Sequence, residues 1–547
     1  MDRRSLLTSV FGKTKSQLPS KNQNLLVSTL EPYSGEWTMA TAAHLLRRTT
    51  FGPTCQNIKE VESNGLELSV SALLADNPFP SLPINFNNQN DPDTPIGETW
   101  VGKPNDALNQ NLNTSRNVSL NGWQMGLFNE GVVSIREKLV LFWHNHFVTS
   151  GVVLAAYNYH YLDILRRNAT GNFRALAEEI TISPSMLLYL NGNENTREAP
   201  NENYSRELLE LFTIGKGDAA GPGDYTNYTE DDVIALAKSL TGWRSRNIEG
   251  VPESVFIPNR HDTSDKQLSN RFNNVIIQDG GEDEYKNVID VILQQDETAR
   301  YICRRLYIWF VGSNIDTNVE SNVIEPMAAL MRDNDYEVKP ALEALLKSEH
   351  FYDSSIRGCM MNHPIDFFFK LFNSFEITIP DDILRKYRVW VNIYRRLLNL
   401  DMVVLSHPSV AGWKAFYQGP QYYDVWANSV SLPIREGIIN DLLEGSMVAQ
   451  QNIRIDTLTV VSKLTNPYDP NELINDLSNL LFPFPISTNQ VEYLKNVLIP
   501  GLPDFEWSVE YGEYIGDPED DDKRLSVENK LVALFSAILK MPENYLI

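Results

Sequence analysis

Apolar residues in this chain recur at three- and four-residue spacing in one short block after another, and that periodicity restricts it to a mainly α fold. The first block, Ala40 to Arg48, reads Ala-Thr-Ala-Ala-His-Leu-Leu-Arg-Arg and stops at Gly52-Pro53, a break that no helix crosses easily. The same pattern predicts helices over 134–147, 175–180, 204–213, 230–241, 284–293, 298–311, 324–332, 338–348, 366–375 and 527–540. Between them, 78–118 is rich in Pro, Asn and Asp and reads as a long surface loop, and 401–435 as loop-rich and aromatic. Val255-Phe256-Ile257 and Val275-Ile276-Ile277 flank turn residues in a way that fits short strands or a hairpin. The expected fold is a large multi-helix body with loop-rich insertions and a few short strands. Its divisions are a tail over 1–30, a main helical domain over 31–465, and a helical extension over 466–547 packed on that body.

Composition narrows the function. With 71 acidic against 47 basic residues the formal net charge is −24, so the chain repels phosphates and anionic surfaces, and nucleic acid is not an expected partner. The densest basic steps, Arg47-Arg48, Arg304-Arg305 and Arg395-Arg396, each fit the polar face of a helix. Three scattered cysteines lack the spacing of a zinc-thiolate site or a disulfide framework. No stretch reaches the ~20 apolar residues of a membrane span. Arg3-Arg4-Ser5-Leu6-Leu7 resembles the start of a twin-arginine export signal, although its apolar run ends at Lys13. The competing reading is a polar tail in a cytoplasmic protein. GxSxG, Walker, GxGxxG, HExxH and CxxCH patterns are all absent.

Two blocks concentrate groups able to do chemistry. In Trp143-His144-Asn145-His146-Phe147 a continuous helix puts His146 on the stripe of Ile135, Leu139 and Phe142. His144 then lies about 160° away, so the two imidazoles can share a metal only if the helix ends near His144. In Asn201 to Gly215, Glu202, Arg206 and Glu210 share one face, and Asn203, Glu207 and Glu210 the next. If buried, these carboxylates push one another's pKa values apart, which suits acid-base work. If exposed, they are a charge ladder. Asn259-Arg260-His261-Asp262 adds a His-Asp step of the kind found in metal and general-base sites and in accidental turns. Thr229 with Asp232 forms a capping box, and His407 to Trp413 reads as a buried aromatic turn with Gly412 allowing close backbone approach.

Taken in order, Ala42 to Pro53, Phe142 to Phe147, Ser183 to Leu190, Asn201 to Gly215, Tyr228 to Trp243, His261-Asp262 and Pro408 to Trp413 resemble a large bacterial family, domain of unknown function 1800. The resemblance covers roughly 36–547. It implies an exported, periplasmic or envelope-associated protein, and a partner from a sulfatase-like family. It also places His407 where relatives commonly have proline, which fits a structural turn.

Two functional expectations follow. The first is a pocket of His144, His146, Arg206, Glu207, Glu210, His261 and Asp262 doing hydrolytic or acid-base chemistry. There Glu207, Glu210, Arg206 and His144 would be the reacting groups, and His144, His146, His261 and Asp262 would be ligands of a divalent metal. The second is a non-enzymatic scaffold or partner in which the same residues fix helix register.

Overall fold

Helix ends in this chain are set by short polar side chains. Thr38, Thr54, Thr229 and Ser487 each begin a helix with a reciprocal capping box, and Asn109, Asn172, Ser183 and Asn201 each accept from a first-turn amide. The structure, a computed structural model, describes residues 29–104, 109–221 and 223–547; the Arg3-Arg4 segment lies outside them. Helices dominate. The strands pair only as two-stranded antiparallel ribbons, among them Trp243–Ile248 with Val251–Phe256 and Lys266–Gln267 with Ile276–Ile277.

Most expected helices stand within a few residues of their predicted limits, for instance Met39–Thr49, Arg136–His146 and Glu284–Leu293. Three differences have physical causes. The expected 78–118 loop ends early, because Asn109 caps a helix over Gln110–Phe128. Gly122 and Gly126 of that helix let it approach Val391 and Trp390 of a second helix, Ile383–Leu398, so packing overrides their low propensity. A further helix, Ser431–Glu444, starts inside the expected 401–435 loop. Finally, Arg47 and Arg48 are buried rather than on a polar face. Arg48 donates to the carbonyls of Val311, Ile356 and Ile547 at 3.2, 2.7 and 2.9 Å, and those bonds compensate for its desolvation.

One apolar core runs from Ala42 to Ile547. The last helices join it through ring contacts such as Phe375 with Phe535 and Phe367 with Tyr545. Among the described residues no helix is long and apolar enough to cross a membrane.

Candidate functional site

The Arg136–His146 helix is buried from Lys138 onward and continues without a break through His144. Its last turn is a hub. Trp143 donates its indole N–H to the Ala169 carbonyl at 2.9 Å. His144 Nε2 accepts the Leu405 amide at 2.9 Å, which places its ring proton on Nδ1. Asn145 Oδ1 accepts the Trp413 amide at 2.8 Å. His146 Nε2 donates to the Phe212 carbonyl at 2.8 Å, and the Phe147 carbonyl accepts the Tyr161 hydroxyl. Five consecutive residues thus tie together three other parts of the chain: Tyr161 to Ala169, Phe212, and Leu405 to Trp413. Gly412 is required beside them: it sits at φ +89°, and a Cβ there would lie 2.3 Å from Asn145 Oδ1. Burial drives the His144 pKa down to about 3, and burial with the Arg305 charge does the same to His146. Both imidazoles are therefore neutral, and they bond to different segments rather than to a common point.

The second block starts as expected, with Asn201 capping Glu202–Glu207. The chain then widens into a π turn over Leu208–Thr213, closed by the Gly215 amide on the Leu209 carbonyl at 2.8 Å. This turn presents the Phe212 carbonyl to His146, so the two blocks do meet, but through backbone. The charged face stays half-exposed. Arg206 pairs with Glu230 at 2.7 Å and Glu202 at 3.0 Å, and Glu210 pairs with Lys216 at 2.8 Å. The Glu230 hydrogen bond raises the Arg206 pKa against burial, which lowers it. Glu207 makes no ion pair among the described residues, and burial followed by the neighbouring Glu210 charge raises its pKa. The pattern fits the charge ladder better than a buried reaction centre.

His261 lies elsewhere and is differently built. Its Nδ1 faces the Thr241 carbonyl at 3.0 Å and its Nε2 faces Glu284 Oε2 at 2.9 Å. Both partners are acceptors, so both ring nitrogens carry protons. Burial opposes that charge, but the Glu284 and Thr241 bonds outweigh it and raise the pKa. Glu284 also pairs with Lys266 at 2.7 Å, with both side chains fully buried. Asp262, the neighbour singled out in the sequence, turns its carboxylate to the Ser264 amide at 2.8 Å instead. His261, Asp279 and Glu284 form a set of groups close enough to share a metal ion. The fit is poor: a metal would have to displace the Lys266 ammonium from Glu284 and remove a proton from His261. The charge such an ion would bring is already supplied by the protein.

Sequence reasoning missed one buried cluster altogether. Lys138 donates to Asp366 and to the Thr50 carbonyl, and lies 4.8 Å from the centre of the Phe51 ring. His363 Nδ1 accepts the Asp366 amide at 3.0 Å, while its Nε2 lies 3.0 Å from Asp366 Oδ2. Burial opposes the Asp366 charge, but His363 and Lys138 hold its pKa low. Lys370 and Arg435 are buried nearby and bond mainly to backbone: Lys370 to the Leu481 and Asn544 carbonyls, Arg435 to Asn362. Two cavities of about 10 Å³ adjoin Asp366, each large enough for about one water molecule and too small for a substrate. No local signal marked it, because Lys138 and Asp366 stand 228 positions apart.

The model of a family described as Protein of unknown function (DUF1800) matches residues 44–543. No curated protein and no solved structure matches the chain.

Proposed function

We propose that this chain, which belongs to the DUF1800 family, is a non-enzymatic helical scaffold or partner protein rather than a metal-dependent hydrolase. One observation carries the reading. The polar side chains of Trp143 to His146 all bond to backbone groups of distant segments. A reacting group must be free to exchange protons or ligands, and these are held in place by the fold. The Arg206 face adds ion pairs at the surface, and Lys266 already neutralises Glu284. An exported or envelope-associated location, in which the chain accompanies a sulfatase-like enzyme, belongs to the same proposal; the Arg3-Arg4 step and the family resemblance support it.

Native mass spectrometry of the purified full chain, with thermal melts in the presence and absence of chelator, tests the reading. The expected result is no stoichiometric metal and an unchanged melting temperature, since an ion bound to the folded state would raise it. A stoichiometric ion whose removal lowers the melting temperature would restore the hydrolase reading.

A further inference from the structure

Two helices of this chain leave like charges unpaired on a solvent-facing side, and they do so with opposite sign. On the Ile383–Leu398 helix, Arg385, Arg388 and Arg395 are exposed and make no ion pair among the described residues, whereas the next residue, Arg396, pairs with Asp441 at 2.6 Å. At 3.6 residues per turn the three fall within an arc of about 80°, on the side away from buried Ile393 and Leu397.

The second helix is Asp504–Gly516. It buries Trp507 and Tyr511 and turns Phe505 and Val509 to solvent, 60% and 52% exposed. Two large apolar side chains at i, i+4 on an outer face form a patch rather than scattered exposure. Gly512 and Gly516 continue that face, and no backbone crowds either, so a partner can approach closely. Glu506 and Glu513 border the patch and make no ion pair among the described residues, while Glu510 on the next flank is paired with Lys530.

The spacings of the two faces match. Arg388 and Arg395 stand seven residues apart, and so do Glu506 and Glu513. Seven residues are two turns, so each pair spans about 10.5 Å along one side of its helix. Two such helices laid side by side bring both pairs together at once. Within one chain they do not meet: Ile383–Leu398 packs on Gln110–Phe128, and Asp504–Gly516 on Asp521–Leu539.

We propose that the arginine face of one copy docks on the Phe505 face of a second copy. Arg388 and Arg395 would pair with Glu506 and Glu513, and the aliphatic stems of the arginines would cover Phe505 and Val509. Like faces cannot do this, because two Asp504–Gly516 helices would set carboxylates against carboxylates. An anionic polymer would suit the arginines but leave the apolar patch uncovered. Two copies repel overall, at −24 each, yet at ionic strength near 0.1 M charges more than about 10 Å apart are screened, and the contact pairs decide. Exposed ion pairs are individually weak, so the complex is weak and reversible. The contact joins unlike surfaces, so assembly continues until it closes on itself.

Sedimentation velocity of the full chain, over roughly 1–200 μM at about 0.1 M salt, tests this. The average mass should rise with concentration. Arg388→Glu with Arg395→Glu, and separately Glu506→Lys with Glu513→Lys, should each weaken association at least about tenfold with the melting temperature little changed. An equimolar mixture of the two variants should restore it, because each then offers the charge the other lacks. A chain that stays monomeric throughout the range overturns the proposal and leaves the two faces to separate partners. Association that both variants leave intact, or that the mixture fails to restore, overturns it too. The inference goes beyond the scaffold reading and fails separately from it, because metal content and chelator response do not depend on self-association.

Discussion

The hub around His144 and His146 and the cluster around His261 both bury imidazole, but the hub holds it neutral and the cluster holds it charged. At the hub, His144 must present a lone pair to the Leu405 amide, and burial is opposed by no carboxylate. At the cluster, His261 faces a carbonyl and a carboxylate and carries two protons. The residue type is the same, and the polarity of the partner atom decides which form is buried. A histidine count therefore says little about metal chemistry until each ring nitrogen has been assigned a partner.

The largest consequence is in pH. His144 and His146 have folded pKa values near 3 against an ordinary value of 6.5, and His407 is shifted the same way by burial. A lowered folded pKa means that the unfolded chain takes up more protons. The stabilisation is therefore complete above about pH 6.5 and is lost on acidification, by about 1.4 kcal/mol per pH unit for each histidine. The cluster has the opposite and narrower window. The raised His261 pKa gives stability that is present below 6.5 and lost as pH rises through the folded value; the lowered Glu284 pKa gives stability lost as pH falls below its ordinary 4.5. Between these limits the hub loosens while the cluster holds. Local opening frees His144 to take up a proton, and the protonated ring can no longer accept the Leu405 amide. Protection of the Leu405 and Trp413 amides, taken relative to the unfolded chain at each pH, should fall as pH drops from 6.5 to 4.5, before the Gly280 amide, which bonds to Glu284 at 3.1 Å, is released. Release of Gly280 first would invert the assigned charge states.

Next in size is Glu284→Gln. It leaves the Lys266 ammonium buried without a counter-charge and the His261 imidazolium with only the half-exposed Asp279, 3.7 Å from its Nε2, at a cost of about 3–5 kcal/mol. Denaturant unfolding measures the loss, and bound metal, assayed on the same sample, should be unchanged. A small stability loss with a changed metal content would mean that the cluster is a metal site after all. Asn145→Ala is smaller. It leaves the buried Trp413 amide unpaired, at about 1–3 kcal/mol. A neutral result would show that the Trp413 segment is held by packing alone.

How much of this was legible in the sequence depends on range. Helix positions and the Thr229 capping box were readable because each rests on residues a few positions apart, and the close approach at Gly412 because glycine itself marks it, although its neighbour Asn145 is far off in sequence. The two polar blocks stood out by residue type, but the way they meet did not: nothing local shows that the second helix widens to a π turn and offers the Phe212 carbonyl to His146. Asp262 was chosen because it adjoins His261, whereas the true partner, Glu284, lies 23 positions away. Arg47 and Arg48 looked like surface residues because their partners are backbone carbonyls, which leave no trace in residue identity. The Lys138–Asp366 pair spans 228 positions and was invisible for the same reason of distance.

The smallest expected effect is the one with the least intuitive sign. His407 is buried, its two ring nitrogens have no partner among the described residues, and its ring lies between those of His144, which it meets edge-on, and Trp413, 4.4 and 3.9 Å from their centres. His407→Leu keeps most of the volume and removes both nitrogens. Losing the ring contacts costs about 0.5–1.5 kcal/mol. Relieving even one unpartnered buried polar atom returns about 1–3 kcal/mol. The balance favours the variant, so the melting temperature at neutral pH should hold or rise. The acid sensitivity of the hub should also shrink by one histidine's share, because a leucine cannot take up the proton that His407 refuses in the fold. Both readouts come from melts at two pH values. A variant that is destabilised at neutral pH by more than the ring contacts account for would show that His407 has a hydrogen-bond partner in solution.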